Sequence, residues 1–431
     1  MKIKNDQNGF HLTVILLAIV VVGVIAFAGS KVFKNNNHSP TNNPGSSNEG
    51  NANSSDPLTK GLALSNGQCT GFGTRSLTHA PMNPSDLSTI VPMGTMIGAH
   101  VTPVDHEYYY GKNQNAPYDT YPVYADADGI ITAVEYVNDG TKPAWWVTIS
   151  HSCTFISNYN LMTSITPQIK AALPKGWGPN SNGNVHIPIK SGDLIGHVGH
   201  QSLDYQVWNT QTTLPGFLNP TAYNNAEPWK VNTAQPLDFF TTSVKSQILP
   251  FYIRTVAPLD GKIDYDVKNE AVGNWFKVGS NGYAGTPGGN GAGQYSYSST
   301  HLALAYDNID PSADIFSIGN YQGQPTQFAV IGNPDWTKIT NGSGLAKVQL
   351  AGINHVTADG SMWTGQFAKG IKLVPTQTQA TALIELTGPE EMTVELFTDK
   401  TPAQVSGFDS NAVNYDRGQN AHMVASTTAT N

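Results

Sequence analysis

Charge is scarce in this 431-residue chain. Asp, Glu, Lys and Arg make up 13% of it, about half of the roughly 25% usual for a soluble domain. Acids outnumber bases 31 to 23, for a net charge of −8, which argues against a nucleic-acid partner, since such binders need a basic face. Cysteine is nearly absent. Two residues, Cys69 and Cys153, exclude a small disulfide scaffold and a four-cysteine zinc module. The sequence leaves open whether they are bridged, which an extracytoplasmic location would permit. With 42 Gly and 27 Pro, long helices should be few. Hydrophobic residues still reach 39%, enough to build a core and to exclude global disorder. At roughly 150 residues per domain, the length suggests two or three domains.

The exception to short apolar runs is Phe10–Ser30, which contains no Asp, Glu, Lys or Arg. As a helix it reaches about 30 Å, the thickness of the hydrocarbon core, so residues 1–33 are expected to be a transmembrane anchor meeting the lipid bilayer through residues 10–30. Lys2 and Lys4 before the run nearly balance Lys31 and Lys34 after it, so the flanking lysines do not orient it. We expect a single pass in the cell membrane with the bulk outside the cytoplasm. Residues 34–59 are rich in Asn, Ser, Gly and Pro and read as a flexible tether of about 25–30 Å reach.

Two β-rich bodies follow, over 60–250 and 251–418, with residues 419–431 as a tail. In the first, residues 121–137 read as two strands around the turn pair Asp128-Gly129. Residues 145–151 read as a strand, and 187–199 as two strands about a Ser191-Gly192 turn. The period-two run LDYQVWN (203–209) predicts a half-buried strand. Thr166-Pro167 predicts a helix start, with Pro at the first helical position. In the second body, strands are expected at KIDYDV, NWFKVG, THLALAY, DIFSIGNY, TQFAVIG, LAKVQL, TALIEL and MTVELF. Many short strands with Gly turns suggest an antiparallel barrel or sandwich. Asp260, Asp264 and Asp266 are expected on a solvated strand face. The glycine-rich loop 282–293 lacks the Lys-Ser/Thr ending of a phosphate cradle.

The segments DHEYYYG, YPVYADADGIITAVE, WWVTISHSCTFISNYNLMTSI, IPIKSGDLIGHVG and SLDYQVWN occur in that order between about 105 and 210. In order and spacing they resemble the lysostaphin/LytM-type zinc endopeptidases, which cut peptide cross-links in peptidoglycan. The resemblance implies an antiparallel LytM-like β-domain. It also implies a metal site, and there the motifs depart from the family. His106 stands at the first zinc ligand, but Tyr110 replaces the Asp four residues on. Asn160 replaces the His of the central strand. Ser202 and Asp204 replace the two residues of the His-x-His strand. Catalytic zinc needs three protein ligands and an open position. Only His106 and Asp204 remain as candidates, with His151 as a possible third. Neither Ser202 nor Asn160 suits the general-base role of a His. His100, His197 and His200 read as structural or solvated.

Two shorter resemblances stand beside this one. Gly9 followed by Phe10 is similar to the type IV prepilin leader, although Val14 takes the place of that family's Glu. Gly273-Asn274-Trp275 is similar to the Gly-x-Trp signature of lipocalin-like barrels, whose mouths hold small apolar ligands. Taken together, the expectation is a membrane-anchored envelope protein, mostly β, whose degenerate LytM-like domain binds peptidoglycan or an envelope partner. Tyr108, Tyr109, Tyr110, Trp145 and Trp146 are candidate contacts, and no cofactor is expected. One alternative is a zinc-dependent endopeptidase with a rearranged site using His106, Asp204 and a third ligand. Another is a pilin-like surface subunit.

Overall fold

The computed structural model describes residues 62–65, 68–138, 142–178, 180–286 and 297–419. The apolar run 10–30, the tether, most of the glycine-rich loop and the tail from residue 420 lie outside the described residues. Among the described residues no helix is long and apolar enough to cross a membrane.

The chain is mostly β and its sheets are antiparallel. A small ribbon pairs β1 (Ala63–Ser65) with β2 (Gln68–Thr70). Next come β3 (Leu87–Val91), β4 (Glu107–Gly111), β5 (Tyr121–Tyr124), β6 (Gly129–Asn138) and β7 (Pro143–Ser150). These are followed by β8 (Phe155–Met162), β9 (Ser164–Ile165), β10 (Ser181–Ile189), β11 (Leu194–Val198), β12 (Leu203–Asn209) and β13 (Thr233–Ala234). The principal sheet runs β10-β6-β7-β8-β12-β4-β3, with β13 also on β12, and a second sheet runs β5-β11-β9. The strands on either side of Asp128-Gly129 therefore belong to different sheets. So do those flanking Ser191-Gly192. Helix α1 (Pro167–Ala172) starts where the sequence predicted, with the Thr166 hydroxyl accepting from the Ile169 amide. Helix α2 (Thr242–Ile248) is capped the same way by Thr241. One face of the principal sheet buries Ile131, Val134, Val147, Tyr159, Leu203, Tyr205 and Val207 against Val123, Ile195 and Val198 of the smaller sheet. A disulfide joins Cys69 of β2 to Cys153 in the β7–β8 turn.

The second body is a closed barrel. Its strands are β14 (Gly273–Lys277), β15 (His301–Tyr306), β16 (Asp314–Tyr321), β17 (Gln324–Val330), β18 (Ala346–Val356), β19 (Lys372–Gly388), β20 (Glu391–Thr398) and β21 (Val413–Asp416). Each pairs with the next, and β21 returns to β14 at Phe276↔Asp416. Alternate residues point inward, as period two requires. Trp275, Leu302, Leu304, Phe316, Phe328, Val348, Ala382, Met392 and Tyr415 bring all eight strands into one packed core.

The barrel end near β14 is held by a buried cation. The Arg417 guanidinium stacks 3.6 Å from the Trp275 ring centre. Its Nη1 donates to Asp266 Oδ1 at 3.0 Å and to the Asn274 carbonyl at 2.9 Å. Its Nη2 donates to the carbonyls of Glu270 and Val272. This site corrects two sequence expectations. KIDYDV is not a strand but an unladdered segment, and its acids are not solvated. Asp264 and Asp266 accept backbone amides of Gly216, Leu218 and Asn274, while Asp260 accepts from Leu237. All three carboxylates are buried. Alternating acids on a strand and acids capturing loop amides have the same local pattern.

Arg417→Ala would strand the Asp266 carboxylate and three carbonyls in the interior, at a cost of about 3–5 kcal/mol. Denaturant unfolding of the variant should show a loss of that size.

Candidate functional site

Strands β8, β12 and β4 lie side by side. Their register sets Asp204 opposite both Asn160 and Tyr108. Because successive side chains alternate between faces, Tyr159, Tyr205, Glu107 and Tyr109 enter the core. Asn158, Asn160, Ser202, Asp204, Gln206, Tyr108 and Tyr110 share the opposite, outer face. That face is covered as well. All of β12 except Asn209 is buried, including Asp204, Gln206 and Trp208, so the half-buried expectation for LDYQVWN is corrected. Trp208 packs near Trp229 at 5.6 Å between ring centres.

His106 precedes β4 directly and sits edge-on to Tyr108, with ring centres 4.9 Å apart. Its Nδ1 donates to Asp105 Oδ1 at 3.3 Å, and Asp105 Oδ2 accepts from Trp229 Nε1 at 2.9 Å. Its Nε2 faces Asp204 Oδ2 at 3.5 Å, close enough for charge attraction but not aligned as a hydrogen bond. Asp204 Oδ1 accepts from Ser202 Oγ at 2.9 Å.

Burial opposes charge on His106, yet Asp204 and the bond to Asp105 carry its pKa above the ordinary imidazole value. Burial would likewise raise Asp105, but Lys230 and His106 hold it at about 2. Burial pushes Asp204 up to about 6 against the attraction of His106. The pair thus favours a protonated His106, while Asp204 does not recover the full cost of its desolvation. The His100 ring lies 5.8 Å from that of His106, and burial, with the neighbouring His106 and Lys230, pushes it down to about 3. Lys230 is itself buried, with Nζ on Glu227 Oε2 and the Tyr283 hydroxyl, both at 3.3 Å.

Elsewhere on the outer face, Gln206 Nε2 donates to Asn158 Oδ1 at 3.2 Å, and Asn158 Nδ2 to Thr148 Oγ1 at 2.7 Å. Among the described residues, Asn160 Oδ1, Gln206 Oε1 and Trp146 Nε1 are buried there without a hydrogen-bond partner. Such atoms are costly and uncommon in native interiors.

The fold therefore brings together His106, Asp204, Tyr108, Tyr110, Ser202 and Asn160. It divides the tryptophan pair. Trp145 is buried in the core and stacks on Tyr136 at 4.2 Å, whereas Trp146 takes the outer face. His151 lies on the core side, away from His106. Its Nε2 is 3.0 Å from Asp126 Oδ1 and 2.7 Å from Ser157 Oγ, and its Nδ1 is 2.9 Å from the Asp128 carbonyl. With both ring nitrogens engaged and no exposed surface, this Ser–His–Asp group is a core network, not a nucleophile. Among the described residues no group of three or more His, Cys, Asp or Glu is arranged to hold a metal. His106 and Asp204 supply two ligands. Tyr110 keeps its proton, its phenol pushed by burial up to about 12, and Asn160 is an amide. This donor set does not fit a catalytic zinc. Trp229 and Lys230 were missed from the sequence, and no local signal marks them. The polar alternation Asn158-x-Asn160 and Ser202-x-Asp204-x-Gln206 was visible and marks the outer face.

No protein-family model matches this chain, and no curated protein does.

Beneath the site, Glu107 is buried with Oε2 accepting from Tyr109 and Tyr252 hydroxyls at 3.2 and 3.1 Å, while Oε1 has no partner. Burial, reinforced by Asp260, raises its pKa well above 4.5. A carboxyl raised in the fold stabilises when protonated, and that contribution is lost as pH climbs above the unfolded value. Glu107→Gln should therefore gain on the natural protein above pH 4.5, by up to about 1.4 kcal/mol per pH unit. Urea unfolding across pH 4.5 to 7 reads the difference.

Proposed function

We propose that this chain is a membrane-anchored cell-envelope protein whose first β-body is a LytM-like module that binds peptidoglycan, or an envelope partner, without cutting it. The observation that carries this reading is convergence. The five positions that the resemblance pairs with the family's metal and base residues, His106, Tyr110, Asn160, Ser202 and Asp204, are spread over about a hundred residues of sequence, yet they meet on one sheet face. Their chemistry supports binding over hydrolysis. A water nucleophile at neutral pH needs a metal or a free base, and here His106 is committed to two carboxylates. The Cys69–Cys153 disulfide supports an oxidising compartment, outside the cytoplasm.

A second reading, a zinc endopeptidase with a rearranged site, draws on His106 Nε2, which faces Asp204 without a hydrogen bond. One experiment separates the two. Full-length protein in detergent is equilibrated with zinc, its metal content measured, and the protein sedimented with purified peptidoglycan sacculi. The binding reading expects co-sedimentation, no released peptides and no stoichiometric zinc. One zinc per chain that disappears in His106→Ala, together with released peptides, would overturn it in favour of the peptidase. Absence from the pellet would sink the peptidoglycan reading.

A further inference from the structure

Strands β18 and β19 are longer than the barrel needs. Pairing of β17 with β18 ends at Val330↔Leu350 and Ala329↔Ala351. Pairing of β19 with β20 begins at Ala380↔Thr398. Yet β18 and β19 remain paired to each other as far as Val356↔Lys372. Beyond the wall they form a two-stranded ribbon, and the register shifts on both sides of Ala351 mark where it leaves. Two-stranded ribbons are marginal unless something packs on them.

Ile353 and Leu373 of the ribbon pack on Ala313, Ile315 and Ala329 of the barrel wall, and the outer face of β3 and β4 receives the segment beyond the ladder. Ile371 is buried with Val91, Ile253 and Ile309, and Trp363 and Ala368 join the same cluster alongside Tyr108 and Tyr110. Gln114 Nε2 donates to the Gly365 carbonyl at 3.1 Å, and Lys369 Nζ donates to the Tyr252 carbonyl. At the outer end of the ladder, His355 Nε2 meets Asp307 Oδ2 and Lys372 Nζ meets Asp310 Oδ1, both at 2.9 Å.

We propose that the outer face of β3–β4 is a docking surface for the chain's own β18–β19 arm, so that the barrel roofs the Tyr108–Tyr110 side of the candidate site and governs access to it. The remaining contacts between the two bodies do not involve the arm. Asn308 Nδ2 donates to the Pro92 carbonyl, Asn219 Nδ2 to the Arg417 carbonyl, and Gln327 exchanges hydrogen bonds with Gly98. The arm can therefore leave while the bodies stay joined. Its tip presents Met362 and Phe367 to solvent, at 55% and 43% exposure, so its hold on the face rests on the small cluster around Ile371 and on the hydrogen bonds of Gln114 and Lys369. This inference goes beyond the proposed function, because it names the occupant of the face whatever the external ligand is.

The test uses the full chain with residues 357–371 replaced by Asn-Gly, which joins Val356 to Lys372 directly across the ladder. Hydroxyl-radical footprinting reads Tyr108 and Tyr110. The expected result is a severalfold rise in their oxidation while Trp275 and Tyr415 in the barrel stay protected. Unchanged oxidation with a protected barrel would overturn the proposal. Should the shortened chain expose the barrel, Trp363→Ala, which keeps the ribbon, decides in its place: a rise supports the docking surface and no rise overturns it. Sacculus sedimentation of the same variants keeps the two readings apart. Exposed tyrosines with greater retention support both. Exposed tyrosines with no retention leave the arm established and end the peptidoglycan reading.

Discussion

A β-sheet with both faces buried must satisfy whatever polar groups lie on either side, and the principal sheet carries polar groups on the side that an isolated domain would give to water. This constraint shapes the region around His106. Hydroxyls, amides and carboxylates on β7, β8, β12 and β4 cannot turn to solvent, so they bond one another. Ser202 serves Asp204, Asp204 faces His106, His106 bonds Asp105, and Asp105 takes the indole of Trp229. Where such pairing runs out, atoms are orphaned at Asn160, Gln206 and Trp146.

The barrel bears on that surface mechanically. Its interior is filled by side chains from all eight strands, including Phe316 and Phe328, and by Trp336 from the β17–β18 connection, and its end is held by Arg417 between Trp275 and the carbonyls of Glu270, Val272 and Asn274. A filled, pinned barrel is a rigid base. From it the paired ends of β18 and β19 project onto β3 and β4, and the same rigidity aims Trp363 and Ile371 at Tyr108 and Tyr110. Stability in one body thereby positions a contact on the other.

The two tryptophans of β7 illustrate how closely local geometry decides role. Trp145 and Trp146 are neighbours in sequence with equal appetite for apolar surroundings, yet strand alternation sends one into the core against Tyr136 and the other to the outer face. The same rule separates Tyr109 from Tyr108 and Tyr110. His151 and His106 fall on opposite sides of the sheet, so two histidines that look interchangeable in the sequence do different work. His151 ties Asp126 and Ser157 into the core, and His106 faces Asp204.

The β character, the strands of the barrel from Gly273 to Thr398 and the Thr166 cap of α1 were legible in the sequence, and motif order alone pointed to Tyr110, Asn160, Ser202 and Asp204 beside His106, but not to Trp229 or Lys230. The legible features are written in periods, turns and caps that act over a few residues, or in motifs quoted in order. The sequence did not determine which faces are covered. LDYQVWN alternates as a half-exposed strand does, and only the Trp229 segment and the barrel, distant in sequence, bury its polar side. KIDYDV alternates as well, but Arg417 and the amides of Gly216 and Leu218 claim its acids before a ladder can form. The short closing strand β21, the Cys69–Cys153 bridge and the arm over Tyr110 depend on partners dozens to hundreds of residues away. Such contacts leave no local period to read, because burial is a property of the assembled surfaces and not of the segment that is buried.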